Sequence, residues 1–225
     1  MRDFGQIAAL AAQRKGGMPA LKKLLAATPS RSPEAIAAMP DDRILAEMAR
    51  RIFSAGFSTK VIQDKWPAFE TAFHGFDPRF CAALDGEGFE ALMQDRGIVR
   101  NAAKIKAVQT NAGFVGALAQ EHGKAARFFA DWPDDDYAGL LDVLKTRGSR
   151  LSGDAGMRFL RSIGKPAYIL TKDVVAALIR EGIVTRAPSG QRDLRIVQNA
   201  FNQWSKQSGC DLTAISRTLA MSVEA

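Results

Sequence analysis

The chain has 225 residues and a formal net charge of +7, with 31 lysines and arginines against 24 aspartates and glutamates. This length suffices for one sizeable core or for two small lobes around a cleft. The positive balance favours a polyanionic partner without requiring one. The beginning of the chain contains charges and no long apolar stretch, so we expect neither a secretion signal nor a membrane span. Two isolated cysteines, Cys81 and Cys210, argue against a disulfide framework or zinc knuckle and suit a reducing compartment.

Apolar residues recur at helical spacing along almost the whole chain, which predicts an all-α fold. Caps and breakers mark where the helices start and end. Pro67 is expected to kink or divide the helix that contains it. The expected helices, in chain order, are 3–15, 19–28, Asp41 or Asp42 to Gly56, one capped by Ser58, one begun by Asp77 and Pro78, one ending near Asp95, one beginning near Asn101, two around Gly148 and Gly153, one headed by Asp173, one from about Gln191, and 211–221.

Trp66, Phe69 and Phe73 form an aromatic stripe along one predicted helix. Core packing is the ordinary role of such a stripe, and lining a pocket for a planar base is the alternative.

Basic residues cluster near the start of the long helix, where Arg100, Lys104 and Lys106 lie close together. They form either a solvated basic face or a set of phosphate contacts beside a helix N-terminus.

The stretch from Tyr137 to Ala177 is the most informative part of the sequence. Two amphipathic patterns meet at a short loop bounded by Gly148 and Gly153, which predicts a helix-hairpin-helix. Arg147 and Arg150 accompany this loop, and the N–H groups of the second helix could face an anion such as a DNA phosphate. An ordinary corner between two helices is the alternative interpretation.

Several chemistries find no support in the sequence. The two histidines, His74 and His122, have no partners that would form a nucleophile triad, and no glycine-rich phosphate loop or metal-ligand spacing occurs. Hydrolysis of an N-glycosidic bond needs fewer groups. It requires a flipped nucleotide, aromatic walls for the base and stabilisation of positive charge on the sugar.

Four phrases carry a family resemblance: DDRILAEMARRIFSAGFS, FHGFDP, MQDRGIVRNAAKIKAVQTNA and RGSRLSG. Over residues 40 to 183 the chain resembles the 3-methyladenine DNA glycosylase I family, within the helix-hairpin-helix glycosylase superfamily. The resemblance implies an all-α two-lobed fold with a base pocket between the lobes. It also implies a monofunctional glycosylase of base excision repair that removes an alkylated or otherwise damaged purine.

The same resemblance has implications for cofactors, partners and cellular location. We expect no cofactor, double-stranded DNA containing a damaged base as the partner, no membrane, and a monomer in the bacterial cytoplasm, associated with the nucleoid. Two alternatives stay open: a DNA-binding protein that kept the fold without excision, and a helical interaction module without nucleic acid.

Site residues follow from the resemblance. Arg51 and Thr59 fall where the family has a base-contacting glutamate and a tryptophan, and an arginine there repels a cationic base. The expected DNA contacts are Arg147, Gly148, Ser149, Arg150, Ser152 and Gly153, with Arg100 and Lys104; the expected base pocket holds Arg51, Phe53, Thr59, Trp66 and Tyr168. Asp173 is the expected catalytic carboxylate, or Thr171 if the alignment slips by two residues, although both could simply cap a helix.

Family members join their chain ends with a zinc site, whose C-terminal ligand positions fall on Asp173 and Ala177 here. We therefore expect no metal, and we expect packed helices at both ends instead. The predicted division is an N-terminal extension (1–39), a glycosylase-like core (40–185) and C-terminal helices (186–225) that pack with the N-terminal lobe.

Overall fold

The computed structural model describes residues 1–224, within which fourteen α-helices and two short 3₁₀ turns are connected without a single strand. The predicted all-α class is confirmed. None of the helices in this described part has both the length and the apolar character needed to cross a bilayer.

The helices are numbered in chain order. Their bounds are α1 Phe4–Lys15, α2 Met18–Ala26, α3 Pro33–Ala37, α4 Asp41–Ser54, α5 Thr59–Ala72, α6 Pro78–Ala82, α7 Gly86–Gln94, α8 Ala102–His122, α9 Ala125–Asp131, α10 Tyr137–Arg147, α11 Asp154–Ile163, α12 Lys172–Arg180, α13 Gln191–Ser208 and α14 Leu212–Met221.

Most predicted helix starts are confirmed. At these starts a side-chain oxygen accepts a hydrogen bond from a backbone N–H group that has no partner within the helix. Ser58 caps α5, Asp77 caps α6 and Asn101 caps α8 in this way. The start of α4 differs, since Pro40 holds its N-cap position. Pro67 lies inside α5 without dividing it.

Contacts divide the chain into two compact units. Unit 1 contains Met1–Arg31, Trp132–Leu140 and the stretch from Gly164 on, and unit 2 contains Ser32–Asp131 and Leu141–Ile163. The predicted domain boundaries lie at residues 39 and 185. The observed units differ because the segment from Gly164 on groups with residues 1–31 and 132–140.

Unit 1 is built around α14, which packs against α1, α12 and α13. Four aromatic rings form its centre: Tyr168 lies 4.5 Å from Tyr137 and 4.6 Å from Phe201, and Phe201 lies 5.7 Å from Trp204. All four side chains are buried, and the burial of such large rings is a main source of stability in a unit of this size.

A buried carboxylate fastens the first residues of unit 1. Glu181, with 1% of its side chain exposed, accepts from the Arg2 amide at 3.0 Å, the Arg2 guanidinium at 2.9 Å and the Arg180 guanidinium at 2.8 Å. Burial alone would raise the pKa of Glu181, but these hydrogen bonds outweigh it, so the pKa lies below its ordinary value.

In unit 2, α4 packs against α8 and α11, and α3 packs against α9. The rings of Trp66, Phe69, Phe73 and Phe76 stack along α5 and the following turn, and the ring of Phe53 on α4 packs against them in a tilted orientation; the centroid separations are 4.5–6.3 Å. These side chains are buried, so the aromatic stripe forms core, the ordinary alternative of the two.

Candidate functional site

The predicted helix-hairpin-helix is present. Helix α10 ends at Arg147 and α11 begins at Asp154, with a six-residue loop from Gly148 to Gly153 between them. The apolar residues that predicted the two helices are buried, including Leu144 and Phe159. The loop itself is exposed at Arg150, Ser152 and Gly153.

Close backbone approach explains two glycines of the hairpin. A Cβ on Gly148 would lie 2.6 Å from the Leu144 carbonyl oxygen. A Cβ on Gly156 would overlap the carbonyl oxygen of Leu151 outright. No real Cβ tolerates such contacts, so both positions require glycine for the corner to close.

A buried asparagine holds the loop from below. The Asn111 side chain, on α8 and 0% exposed, donates from Nδ2 to the Ser149 carbonyl at 3.0 Å and accepts from the Ser149 amide at 2.7 Å. One amide group thus satisfies both backbone groups of Ser149, which fixes the loop without using the serine hydroxyl. We call these two hydrogen bonds between Asn111 and Ser149 the loop clamp.

Arg150 is held at the tip of the hairpin in an unusual conformation. Its φ is +58°, in the left-handed region, which costs a non-glycine residue on the order of 1–2 kcal/mol. Its side chain is exposed and makes no ion pair or hydrogen bond with the part of the chain described here. A strained backbone that presents an unpaired cation points to a functional role.

Two other charged residues at the hairpin loop, Arg147 and Asp154, are paired. Arg147 contacts Glu121 on α8 at 2.8 Å and lies 5.2 Å from the Phe114 ring centroid. The hydrogen bond from Arg147 lowers the pKa of Glu121. Asp154 accepts from Arg158 at 2.6 Å, one turn further along α11. This pairing offsets the negative charge at the start of α11, where an approaching anion would meet free N–H groups.

Residues 36–138 match a family model described as methyladenine glycosylase. This segment, slightly less than half of the chain, is similar to the methyladenine glycosylase family. The predicted resemblance is thereby confirmed, although it extended to residue 183 and the family match ends at residue 138, in the first turn of α10.

Two bacterial relatives align with a shorter segment. The DNA-3-methyladenine glycosylase 1 of Escherichia coli K12 is 41% identical over 58 residues, which cover 26% of this chain and 31% of that protein. The DNA-3-methyladenine glycosylase of Haemophilus influenzae is 36% identical over 58 residues, with the same coverage. The chain thus spans about a third of the length of the curated relatives it matches.

Solved structures extend the likeness of the fold. The Staphylococcus aureus 3-methyladenine DNA glycosylase I superposes with a TM-score of 0.50 at 24% identity, covering 56% of this chain and 77% of that one. The Methanocaldococcus jannaschii 8-oxoguanine glycosylase/lyase, solved with DNA containing 8-oxoguanine, superposes with a TM-score of 0.52 at 10% identity, covering 88% of both chains. The predicted helix-hairpin-helix glycosylase fold is confirmed.

The structure corrects three of the residues that the methyladenine glycosylase resemblance indicated. Lys104 is 6% exposed, and its ammonium donates to the carbonyls of Phe53 at 3.1 Å and Ala55 at 2.6 Å, so it caps the C-terminus of α4 and is not free for a phosphate. Burial, with the nearby charge of Arg150, lowers the pKa of Lys104. Phe53 and Tyr168 are both 0% exposed. They are core residues and not pocket walls, because a base cannot reach a fully covered ring.

Trp66 is also covered. It is 8% exposed, and the Arg50 guanidinium lies over its ring at 4.1 Å. Its indole N–H donates to Glu70 at 2.8 Å, and Glu70 also accepts two hydrogen bonds from Arg43. Arg50 therefore occupies the face that a base would need.

The other two pocket candidates keep solvent access. Arg51 has 28% of its side chain exposed and lies 3.4 Å from Glu47. Thr59 is the exposed first residue of α5. Arg100, a candidate DNA contact, is exposed and has no ion pair within residues 1–224.

Asp173 lies exposed in the first turn of α12. Its carboxylate makes no hydrogen bond or ion pair within the described chain, whereas Thr171 is the N-cap and accepts from Val174 N–H at 3.3 Å. Thr171 thus performs the structural capping that the sequence left open between the two residues. Asp173 is left available for another role.

The zinc site of the methyladenine glycosylases does not fit this chain. The position that falls on Ala177 is fully buried and offers no ligand atom. Within residues 1–224, no group of three histidine, cysteine or acidic side chains could hold a metal ion. Hydrogen bonds from Arg2 to Glu181 join elements at this end of unit 1 instead.

Sequence reasoning missed Asn111, the residue that fixes the hairpin. A signal was present, because Asn111 falls among Ile105, Val108, Ala112 and Val115 on the buried side of α8. A polar side chain at a core position needs partners, and a backbone loop is a common one.

Proposed function

We propose that this protein is a DNA glycosylase of base excision repair, which flips out a damaged, 3-methyladenine-like purine and hydrolyses its N-glycosidic bond. The match of residues 36–138 to the methyladenine glycosylase family carries this proposal. The E. coli and H. influenzae relatives are named for the same lesion. The protein acts on double-stranded DNA as a monomer and needs no cofactor; in a bacterium it works at the nucleoid.

The hairpin is the proposed DNA-backbone grip. Arg150 contacts a phosphate, while the N–H groups at Ser152, Gly153 and the start of α11 face the same strand. The loop clamp keeps this surface in one conformation before DNA arrives. Preorganisation of this kind lowers the entropy lost on binding.

Arg150 variants test the grip. Arg150→Ala should weaken duplex binding about equally for all sequences, because a phosphate contact carries no base information. Arg150→Gly should weaken binding in the same way while leaving the free energy of unfolding unchanged or up to about 1 kcal/mol higher, since glycine accepts a positive φ. Fluorescence anisotropy with several duplexes and urea titrations measure the two effects. Strong sequence dependence of the loss contradicts a backbone contact.

Asp173 is the proposed catalytic group. When the bond between C1′ and the base nitrogen breaks, positive charge develops on the sugar, and a nearby carboxylate stabilises it. A water oxygen then bonds to C1′, and its proton passes to the carboxylate or to solvent. The departing base takes the bonding electron pair, and a base made cationic by alkylation leaves as a neutral molecule.

Release of free base from methylated duplex DNA tests the activity. Asp173→Asn should reduce release by about 100-fold or more while duplex binding is retained. Thr171→Ser keeps the hydroxyl cap and serves as the control, with release unchanged. If the wild-type protein binds DNA but releases no base from any lesion, it is not a glycosylase.

One observation favours a second candidate, a DNA-binding protein without excision activity. Arg51 falls at the position of the family's base-contacting glutamate, and its guanidinium pairs with Glu47 at 3.4 Å. A cation at that place disfavours a cationic base such as 3-methyladenine. Binding to abasic or mismatched duplexes without base release would identify this function.

A further inference from the structure

A surface cavity of about 260 Å³ lies in unit 2, where α8 ends and α9 begins. Its lining consists of Ala37, His122, Gly123, Lys124 and Arg127. Gly123 has a φ of +80°, and this left-handed turn carries the chain from one helix into the next. The two permanently charged side chains at the cavity, Lys124 and Arg127, are both cationic.

Neither cation is neutralised by the protein. Lys124 and Arg127 are exposed and form no ion pair or side-chain hydrogen bond with residues 1–224. Two neighbouring carboxylates are engaged elsewhere: Asp41 accepts from the Ala125 amide at 2.9 Å, and Glu121 pairs with Arg147 at 2.8 Å. Because Asp41 already fills the N-terminus of α9, attraction for an anion comes from the two side chains.

The size and chemistry of the cavity limit what it can take. Pockets that enclose small organic ligands usually measure roughly 300–1,000 Å³, and this one is smaller. A guanidinium and an ammonium at its edge match the oxygens of a single phosphate group.

Side-chain contacts connect the cavity lining to the hairpin within the same unit. Glu121 contacts Arg147, the last residue of α10, at 2.8 Å, and it contacts His122 of the cavity lining at 3.7 Å. The cavity therefore lies near the C-terminal end of α10, where the loop proposed to hold DNA begins. A phosphate outside the stretch held by the hairpin is the anion most available to it.

We propose that Lys124 and Arg127 form a second phosphate-binding site, which takes a backbone phosphodiester of the same DNA duplex. The proposal rests on the proposed function, because it extends the hairpin's DNA surface. In this role the two residues increase the affinity for DNA and fix the position of the protein along the duplex, but they do not recognise bases.

Salt-dependent binding tests this site. Binding of an undamaged fluorescent duplex is measured at salt concentrations from about 50 to 300 mM. The slope of log K against log salt is negative, and each lost phosphate contact reduces its magnitude by about 0.9. The double variant Lys124→Ala/Arg127→Ala removes the one phosphate contact of this site, so it should reduce the magnitude of the slope by about 0.9 and weaken binding roughly 10-fold near 0.1 M salt. Lys124→Arg/Arg127→Lys keeps both charges and should bind like wild type.

A matched control removes the same charge elsewhere. Arg195 and Lys206 are exposed cations on α13 in unit 1, so Arg195→Ala/Lys206→Ala changes the net charge equally and should leave the slope nearly unchanged. All variants are checked for wild-type thermal unfolding.

The outcomes separate the two proposals. Wild-type protein that shows no salt-dependent duplex binding overturns the proposed function together with the site. Wild-type binding that Arg150→Ala weakens, combined with an unchanged slope in Lys124→Ala/Arg127→Ala, overturns the second site alone. If that variant and the α13 control lose the same amount of slope and affinity, the effect comes from net charge alone, and the second site is also overturned.

Discussion

Replacing Asn111 should destabilise the protein, because this single side chain satisfies both backbone groups of Ser149. Asn111→Ala removes two hydrogen bonds, each worth about 0.5–1.5 kcal/mol net, so we expect the free energy of unfolding to fall by about 1–3 kcal/mol. Thr110→Ala, which changes an exposed neighbour on the same helix, should stay within about 0.5 kcal/mol of wild type.

Asn111→Asp adds a test with a defined sign. The aspartate keeps an acceptor for the Ser149 amide but loses the donor, and its charge would be buried opposite a carbonyl oxygen. Burial raises its folded pKa above the unfolded value of about 3.9. Protons then bind the folded state more tightly, so the variant should be most destabilised at neutral pH and should recover as the pH falls through that folded pKa.

Urea titrations at about pH 7 and pH 5 measure these effects, and the m-value checks that each variant unfolds in two states. An Asn111→Ala protein with the wild-type midpoint would refute the clamp. So would an Asn111→Asp protein whose deficit grows on acidification relative to wild type.

Three further predictions follow from close contacts and burial. Gly156→Ala should destabilise by about 1–3 kcal/mol because its Cβ meets the Leu151 carbonyl, whereas Gly116→Ala, with open space around it, should stabilise by up to about 1 kcal/mol; chemical denaturation compares them. Glu181→Gln should cost about 1–3 kcal/mol above pH 5, and the difference should vanish as acid protonates the wild-type carboxylate below its lowered pKa; unfolding titrations across pH test this. Cys81, buried with its pKa raised to about 12, should resist thiol reagents at about pH 8 until the protein unfolds, unlike the other cysteine.

The sequence was sufficient for features that depend on local physics. Helical periodicity and caps such as Ser58 and Asp77 predicted the helices, because a free backbone N–H group at a helix start needs an acceptor close by in the chain. The glycines of the hairpin predicted its loop because glycine interrupts a helical pattern and is common in turns.

Features that depend on distant partners were not predictable in this way. Lys104 has a basic, exposed-looking pattern, yet it bonds carbonyls about fifty positions earlier in the chain. Trp66 reads as a stacking surface until Arg50 is found over it. Tertiary contacts decide whether a charged or aromatic side chain is free, and periodicity alone does not reveal them.

The loop clamp also determines which hairpin positions can vary. Asn111 contacts only main-chain atoms of Ser149, so the hydroxyl of Ser149 contributes nothing to it. In a saturation library we expect many side chains to be tolerated at position 149, and almost none in place of asparagine at position 111. The hairpin can therefore exchange the side chain at this position while its backbone stays fixed.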